Sequence, residues 1–255
     1  MVRLIQKWLN AGVLEEGKRV RMKEGTPQGG SASPLLANIY LHYALDLWVR
    51  AWSRKWATGA MVVVRYADDV VLGFQRKADA ERMYQELGER MGKFGLELHP
   101  DKTRLLEFGP FAQDNRKRRG QGKPETFNFL GLTHICGKTR AGRFTVLRQT
   151  MRKRLQAKLG EVKTELRRRL HDRVAAVGKW LRAVVEGHLR YYAVPTNYAA
   201  LALFRSQIER LWRRALSRRS QHPVRWDRAR RICNHWLPKP RICHPYPLRR
   251  LGVIT

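Results

Sequence analysis

Two adjacent aspartates between two apolar runs, Asp68 and Asp69, constrain the fold of this chain more than any other feature. Residues 61–64 (MVVV) lead into the pair and residues 70–74 (VVLGF) lead out of it. Apolar runs on both sides of a short polar break predict a β-hairpin of buried strands with both acids at its tip.

Adjacent carboxylates repel each other, so a hairpin that keeps such a pair at its tip points to a bound divalent cation. Mg²⁺ prefers oxygen ligands and is commonly held by one or two carboxylates together with substrate phosphates. Two such ions about 4 Å apart can activate an attacking hydroxyl and stabilise the leaving oxygen in nucleotidyl transfer. An ordinary solvated turn remains the alternative, because Asp is favoured in turns.

A glycine-rich loop, residues 25–30 (GTPQGG), precedes a strong helix start at Ser33 and Pro34. A serine hydroxyl can cap a helix, and proline already has a helical φ angle. Glycines let the backbone approach a ligand closely, and the amino end of a helix favours phosphate. A plain connection between a loop and a helix is the other interpretation. The helix is expected to bury an apolar face made of Leu35, Leu36, Ile39, Tyr40, Tyr43 and Leu47.

The next part of the chain mixes the patterns of helices, strands and turns. Residues 81–94 predict a helix, and residues 127–131 and 143–147 predict a second hairpin around a glycine-containing turn. Residues 114–123 (DNRKRRGQGK) are polar, basic and contain glycine, which predicts a mobile loop. This loop is as consistent with a solvated charge run as with a contact to nucleic acid.

From about residue 149 the pattern becomes helical, with apolar residues three or four positions apart. Residues 148–231 contain 23 Lys or Arg and 6 Asp or Glu, a net charge of about +17. The apolar stripes are expected to pack the helices together and to leave basic faces for phosphate. The candidate nucleic-acid contacts on the first of these helices are Arg152, Lys153, Arg154, Lys163, Arg167, Arg168 and Arg169.

The whole chain carries 52 Lys or Arg against 21 Asp or Glu, a formal charge of +31. An excess of this size repels itself, so a polyanion such as a nucleic acid is the expected partner. An anionic membrane is the rival, but the charge is spread over several segments rather than opposite one exposed apolar face. No apolar run approaches the ~18 residues needed to span a bilayer, and the first residues show no signal-peptide core. We therefore expect no membrane partner and a cytoplasmic location.

Three scattered cysteines, Cys136, Cys233 and Cys243, suit a reducing cytosol and give no disulfide framework. Cys233 and Cys243 lie near His235 and His244 in the sequence, but the spacing fits no closed structural zinc pattern. We expect no zinc.

Four ordered motifs make the chain resemble reverse transcriptases, and among them the group II intron type. Residues 25–41 resemble the loop and helix that contact template and incoming nucleotide, and residues 66–69 (YADD) resemble the metal-binding hairpin. Residues 95–103 (GLELHPDKT) resemble the next palm motif, and residues 129–132 (FLGL) resemble the primer grip. The resemblance implies an α+β fold: a partial polymerase palm, with an antiparallel sheet and packed helices, followed by an all-helical basic thumb. It also implies RNA-directed DNA synthesis from an intron RNA template, a DNA primer and dNTPs.

The resemblance implies specific roles at the hairpin. Asp68 is the main metal ligand and Asp69 supports it, with Mg²⁺ as the expected ion and Mn²⁺ as a substitute. Lys102 is a candidate proton donor to the leaving pyrophosphate, although a lysine after Pro-Asp is more often an ordinary surface residue. The residues expected to line the template and nucleotide side are Gln28, Gly29, Gly30, Tyr66 and Ala67.

The helical part resembles the thumb, or maturase-specific domain X, of group II intron proteins, most clearly at residues 178–192. Tyr191 and Tyr192 are expected in the helix core or at a domain contact rather than stacked on bases. The implied domains are a partial palm at residues 1–147, a helical thumb at residues 148–238 and a C-terminal tail at residues 239–255.

The sequence departs from the family before the glycine loop. Reverse transcriptases use three metal-binding aspartates, and the first precedes that loop by several dozen residues. No Asp precedes Gly25 here, and Asp46 follows the loop on the predicted helix. We therefore expect an N-terminally truncated polymerase that is inactive alone, or one whose fingers and first palm segment come from a second chain.

Two other functions stay open at this point. An RNA-binding maturase fragment would assist intron splicing without polymerase activity, and a decayed remnant would have no function. A viral-type RNA polymerase is disfavoured, because Ala67 replaces the glycine usual in its motif.

Overall fold

The computed structural model describes residues 2–9, 13–15, 18–20, 32–219 and 222–245. The chain divides into two compact units, Met1–Leu106 and Glu107–Thr255, which we call the hairpin unit and the helical unit. Both combine helices with small antiparallel sheets, so the predicted α+β class is confirmed. Within the described residues, no helix is long and apolar enough to cross a bilayer.

Helices alternate with two short antiparallel strand pairs in the hairpin unit. Pro34 lies in the first turn of α2, where its missing N–H costs no backbone hydrogen bond. The predicted helix at residues 81–94 is confirmed as α4. The elements are α1 (Val2–Leu9), β1 (Val13–Glu15), β2 (Lys18–Val20), α2 (Ser33–Leu41), a π-helical turn (His42–Asp46), α3 (Leu47–Trp56), β3 (Met61–Tyr66), β4 (Asp69–Phe74) and α4 (Lys77–Gly92).

The core of the hairpin unit lies between α3, α4 and one face of the β3–β4 hairpin. Trp52 of α3 and Met83 of α4 are almost inaccessible to solvent, and the Trp52 ring meets Phe74 of β4 edge to face at 6.2 Å. Alternate strand residues complete this core, because successive side chains of a strand point to opposite faces. The strand residues packed against it are Met61, Val70, Leu72 and Phe74.

The apolar face predicted for the helix after the glycine loop is exposed, so that expectation was wrong. Leu35 is 61% exposed, and α2 buries none of its residues within the described part of the chain. The contact face is instead carried by Ala44 and Leu45, in the π-helical turn. A π turn bonds residue i to residue i+5 and so moves the following side chains around the helix axis. The uniform period therefore fails beyond residue 42, whereas Leu35 and Ile39 are exposed because the described core does not reach α2.

The strands of the β3–β4 hairpin were predicted to be buried, and this expectation was also wrong for one face. Val62 is 62% exposed, and Val64 and Tyr66 on the same face are exposed as well. Among the described residues β3 pairs only with β4, and the packed core covers only the opposite face. Apolar runs alone do not distinguish a strand covered on two faces from one covered on a single face.

A three-stranded antiparallel sheet and a helical bundle form the helical unit. The sheet order is β5–β6–β7, and β6 and β7 pair along their full length. The turn of the predicted second hairpin is confirmed, but its first strand is β6 rather than residues 127–131. The elements are α5 (Ala112–Arg118), β5 (Phe127–Phe129), β6 (Leu132–Lys138), β7 (Phe144–Thr150), α6 (Arg152–Arg168), α7 (Val174–Tyr192), α8 (Tyr198–Arg218) and α9 (Trp226–Trp236).

The prediction of a mobile loop at residues 114–123 was wrong for the first half of this segment, because residues 114–118 belong to α5. Asn115 and Arg119 both donate hydrogen bonds to the Glu107 carboxylate. Burial works against the charged form of Glu107, yet these bonds hold the pKa of its carboxyl below the usual range. One carboxylate thus neutralises and orders part of a basic run that the composition alone assigned to a loop.

The core of the bundle is continuous along α6, α7 and α8 and extends to Cys233 of α9 and to Leu237 directly after it. Phe204 and Trp212 of α8 are fully or almost fully buried at its centre. Gly178 of α7 lies against α9, where an added Cβ would be 2.4 Å from the Trp236 ring. The other buried members of this core are Leu155, Val162, Leu166, Val177, Leu181, Val185, Leu189, Ala193, Leu201, Ile208, Leu216, Cys233 and Leu237.

A buried asparagine joins the β5–β7 sheet to the bundle. Asn197 accepts a hydrogen bond from the Thr150 amide at 2.9 Å and donates to the Thr150 hydroxyl at 2.8 Å and to the Tyr192 carbonyl at 2.9 Å. The compact units accordingly divide at residue 106, whereas the family-based palm and thumb divide at residue 147. That division into palm and thumb stays a prediction.

Candidate metal-binding hairpin and basic helical surface

The predicted hairpin is confirmed, with the acids at its tip. Tyr66 of β3 pairs with Asp69 of β4, so Ala67 and Asp68 form a two-residue turn. Ala67 has φ +53°, in the left-handed region. Residues with a side chain adopt this region reluctantly, whereas two-residue hairpin turns that match the strand twist require it.

Both carboxylates are free to meet a ligand. Asp68 and Asp69 are exposed, and within the described residues neither carboxylate takes part in a hydrogen bond or an ion pair. The same residues contain no group of three or more His, Cys, Asp or Glu side chains that could hold a metal ion. The hairpin therefore offers two adjacent oxygen donors, which fits a Mg²⁺ ion that takes its other ligands from phosphates and water. The ligand roles of Asp68 and Asp69 stay predictions.

Arg65, on β3 just before the tip, connects the tip of the hairpin to α2 and to the π-helical turn. The Arg65 guanidinium donates to both oxygens of Asp46, from Nε to Oδ1 and from Nη2 to Oδ2, each at 2.7 Å. Its Nη1 donates to Asn38 Oδ1 and to the Ala67 carbonyl, each at 2.8 Å. The Arg65 hydrogen bond holds the pKa of the Asp46 carboxyl below its usual value. Asp46 is thus already neutralised.

The other predicted residues of this unit are less informative. Gln28, Gly29 and Gly30 lie outside the described residues. Tyr66 is 65% exposed on the uncovered face of the hairpin. Lys102 is exposed in a turn where its amide donates to the His99 carbonyl at 3.2 Å, and its role stays a prediction.

The turn that resembles the primer grip is held by two tyrosines of α7. Leu130 and Gly131 occupy it with φ +50° and +73°, a second two-residue turn. The Tyr191 hydroxyl donates to the Leu130 carbonyl at 3.2 Å. A Cβ on Gly131 would lie 2.8 Å from the Tyr192 hydroxyl, so no larger residue fits there without displacement. Tyr192 is half-buried and packs on His188, in agreement with the packing interpretation of this residue.

The candidate basic residues of α6 and of its C-cap, Arg169, fall into three classes. Arg169 donates to Glu165 at 2.7 Å and lies over the Trp180 ring at 5.0 Å, and Arg168 is 3.7 Å from the same carboxylate. Lys163 and Arg167 have no ion pair within the part of the chain that the structure describes. Arg152, Lys153 and Arg154 are exposed in the first turn of α6.

The unpaired cations of α6 border a groove shared with α8, which we call the basic groove. Its walls carry Lys163, Arg167, Arg214 and Arg218, and all four are exposed. Its volume is about 390 Å³. The floor is apolar and consists of Leu166, Leu170, Leu211 and Ala215. Sequence reasoning missed Arg214 and Arg218, although their four-residue spacing places them on one face of α8.

Two of the four cysteines and histidines considered as zinc ligands, Cys233 and His244, make other contacts. Cys233 is buried in the bundle, which raises the pKa of its thiol to about 12. His244 contacts the Arg190 carbonyl at 3.0 Å, and the His235 ring meets Trp236 edge to face. The expectation of no zinc stays a prediction.

Comparisons with known proteins match a segment of the chain that contains the hairpin. The family model described as "Reverse transcriptase (RNA-dependent DNA polymerase)" matches residues 1–134. The group II intron-encoded protein LtrA of Lactococcus lactis subsp. cremoris is 36% identical over 118 residues, which cover 46% of this chain and 19% of LtrA. The protein YkfC of Escherichia coli K12 is 31% identical over an alignment of 173 residues that covers 56% of this chain and 41% of YkfC. The chain thus spans about a fifth of LtrA and about two fifths of YkfC.

Proposed function

Because the chain belongs to the reverse transcriptase family and is related within it to group II intron-encoded proteins, we propose that it acts in RNA-directed DNA synthesis of the group II intron type. It binds intron RNA and extends a DNA primer with dNTPs along an RNA template. One observation carries this proposal: two exposed, unpaired carboxylates at the tip of a tight hairpin inside the segment that the family model matches.

Each residue at the tip has a definite part in the proposed reaction. Asp68 and Asp69 would hold Mg²⁺ or Mn²⁺, which supplies charge neutralisation for the phosphates and activation of the primer hydroxyl. Ala67 is small and exposed, so the primer end can approach the turn without meeting a side chain beyond Cβ. Tyr66 presents an exposed ring beside it, on the face that the core leaves uncovered.

RNA binding is assigned to the basic groove and the first turn of α6. The four cations of the basic groove have no carboxylate partners among the described residues. A bound polyanion would relieve their mutual repulsion. Neutralised phosphates release counterions, so the affinity is expected to fall steeply as salt rises.

The test measures RNA-templated primer extension and RNA binding by residues 1–255, alone and mixed with the fingers and first palm segment of a group II intron reverse transcriptase. Asp68→Asn is expected to lower DNA synthesis roughly 100-fold or more, because a shared metal ligand is lost. Asp114→Asn, the same change on the exposed face of α5, is the matched control and keeps full activity. RNA affinity stays the same in both variants. DNA synthesis that Asp68→Asn leaves undiminished contradicts the proposal.

A second candidate function is RNA binding in support of intron splicing without DNA synthesis. It is favoured by the helical unit, which has its own core and carries the basic groove independently of the hairpin. This function predicts RNA binding and splicing support that are equal in wild type and Asp68→Asn, with no primer extension under either condition. A chain that binds no RNA would exclude both functions and leave the decayed remnant.

A further inference from the structure

We propose that Arg65 is a positioning residue that sets the conformation of the Ala67–Asp68 turn, and that Asn38 and Asp46 hold Arg65 in place. This inference rests on the proposed function in one respect: the turn matters because it presents Asp68 and Asp69 to a metal ion. Nothing in the roles inherited from the family motif assigns a function to Arg65.

The hydrogen bond from Arg65 to the turn is made at Ala67, the residue of the turn with an unfavourable left-handed φ angle. Arg65 Nη1 donates to the Ala67 carbonyl at 2.8 Å. That carbonyl belongs to the peptide that links Ala67 to Asp68, so fixing it fixes the plane from which the Asp68 side chain departs. Ala67 has φ +53°, a conformation that a residue with a side chain leaves readily unless its surroundings hold it.

The guanidinium is itself fixed from the other side. Asp46 accepts two bonds from it in a fork, both at 2.7 Å, and Asn38 Oδ1 accepts a third at 2.8 Å. Asn38 is oriented in turn, because its Nδ2 donates to the Pro34 carbonyl at 3.0 Å. The tip is therefore tied through Arg65 to α2 and to the π-helical turn.

The chemistry of the set requires arginine. Only a planar guanidinium can donate to both oxygens of one carboxylate and at the same time to two further acceptors. A lysine would keep the charge opposite Asp46 and lose the fork and the bond to Ala67. If Arg65 served only to neutralise Asp46, lysine would replace it without effect on the turn.

The experiment compares the wild-type chain, Arg65→Lys and Asn38→Ala by NMR, with Mn²⁺ as the probe. The Cα and carbonyl chemical shifts of Ala67 report the turn, and Mn²⁺-induced broadening of the amides at residues 67–69 reports binding at the tip. Arg65→Lys is expected to move the Ala67 shifts away from left-handed values and to weaken Mn²⁺ binding about tenfold, as for other groups that orient a metal ligand. Asn38→Ala, which leaves the pair of Arg65 and Asp46 intact, gives a smaller change in the same direction.

Two controls separate positioning from a general loss of structure. Arg50→Lys makes the same substitution on α3 of the same unit, where the Arg50 side chain is exposed and makes no hydrogen bond or ion pair with another described residue. This variant leaves both readouts unchanged. Thermal unfolding shows whether Arg65→Lys folds. If it does not, Asn38→Ala decides the question, because pure neutralisation of Asp46 predicts no effect from that variant.

The outcomes for this inference differ from those for the proposed function. Wild-type Ala67 shifts and Mn²⁺ affinity in both Arg65→Lys and Asn38→Ala overturn the positioning role and leave the proposed function standing. If Mn²⁺ broadens nothing at the tip of the wild-type protein, the metal-binding part of the proposed function fails. The Ala67 shifts then still decide whether Arg65 sets the turn.

Discussion

The hairpin unit and the helical unit differ in how much of their apolar surface they bury. In the helical unit, apolar residues of α6, α7 and α8 meet in one continuous core around Phe204 and Trp212. In the hairpin unit a smaller core lies on one face of the sheet, and large apolar side chains such as Leu35, Tyr43 and Val62 are exposed. The candidate chemistry is in the unit with the thinner core, and the candidate RNA surface is on the densely packed one.

This contrast explains why the hairpin tip depends on polar contacts. A two-stranded hairpin is marginally stable by itself, and packing on one face leaves its tip unsupported. Arg65 supplies the missing support through directed hydrogen bonds to Asp46 and to the Ala67 carbonyl. The basic groove needs no such device, because its cations extend from helices that the core already holds.

The largest expected effect tests the difference in packing. Phe204→Ala removes a fully buried ring that stacks on His188 at 3.7 Å, and should lower the free energy of unfolding of the helical unit by about 3–5 kcal/mol. Val64→Ala, on the exposed face of the hairpin, should cost less than about 1 kcal/mol. Urea unfolding, followed residue by residue by hydrogen exchange, measures both. Phe144→Ala is the matched control, an exposed ring of the helical unit. Equal losses in Phe204→Ala and Val64→Ala would remove the contrast.

The same contrast shows where the sequence was informative. In the helical unit, apolar spacing predicted helices from about residue 149 with apolar stripes that pack together. The structure agrees, because Leu155, Val162 and Leu166 pack against partners in the same unit. In the hairpin unit, the polar break between apolar runs located β3, β4 and the tip. The buried face predicted from Leu35 to Leu47 failed for two reasons. The described core does not reach α2, and the π-helical turn shifts the period of the residues that follow it.

The residues of the candidate sites also differ in whether the sequence could predict them. Asp68 and Asp69 could be selected from the sequence, since adjacent carboxylates between apolar runs are unusual. The Arg65 network could not, because Asn38 and Asp46 are 27 and 19 residues away along the chain and only the fold brings them to Arg65. Arg214 and Arg218 were missed for the same reason: their partner wall belongs to α6.

A fall in pH should lower the free energy of unfolding of the helical unit. Burial lowers the pKa of His188 from 6.5 to about 4, with a smaller effect from the charge of Lys158. His188 therefore binds a proton more readily in the unfolded chain, and the stability it contributes is complete above about pH 6.5 and is lost as the pH falls toward 4. The expected loss is about 2 kcal/mol between pH 7 and pH 5.

His188→Phe tests this pH dependence, because it keeps a ring against Phe204 and removes the titration. The slope of unfolding free energy against pH should flatten in this variant. Chemical denaturation at a series of pH values gives the slope. An unchanged slope in His188→Phe would place the acid sensitivity elsewhere.

The smallest expected effect sharpens the assignment of RNA binding to the helical unit. Arg167→Ala and Arg214→Ala should each weaken binding of structured RNA by about 1 kcal/mol and lower the slope of log affinity against log salt by about one, because each removes one phosphate contact. Arg168→Ala is the matched control, since Arg168 lies beside Glu165 on the same helix, and its effect should be smaller. Arg169 is unsuitable, because it also holds Trp180. Equal losses for Arg167→Ala and Arg168→Ala would mean that total charge, rather than the basic groove, determines RNA affinity.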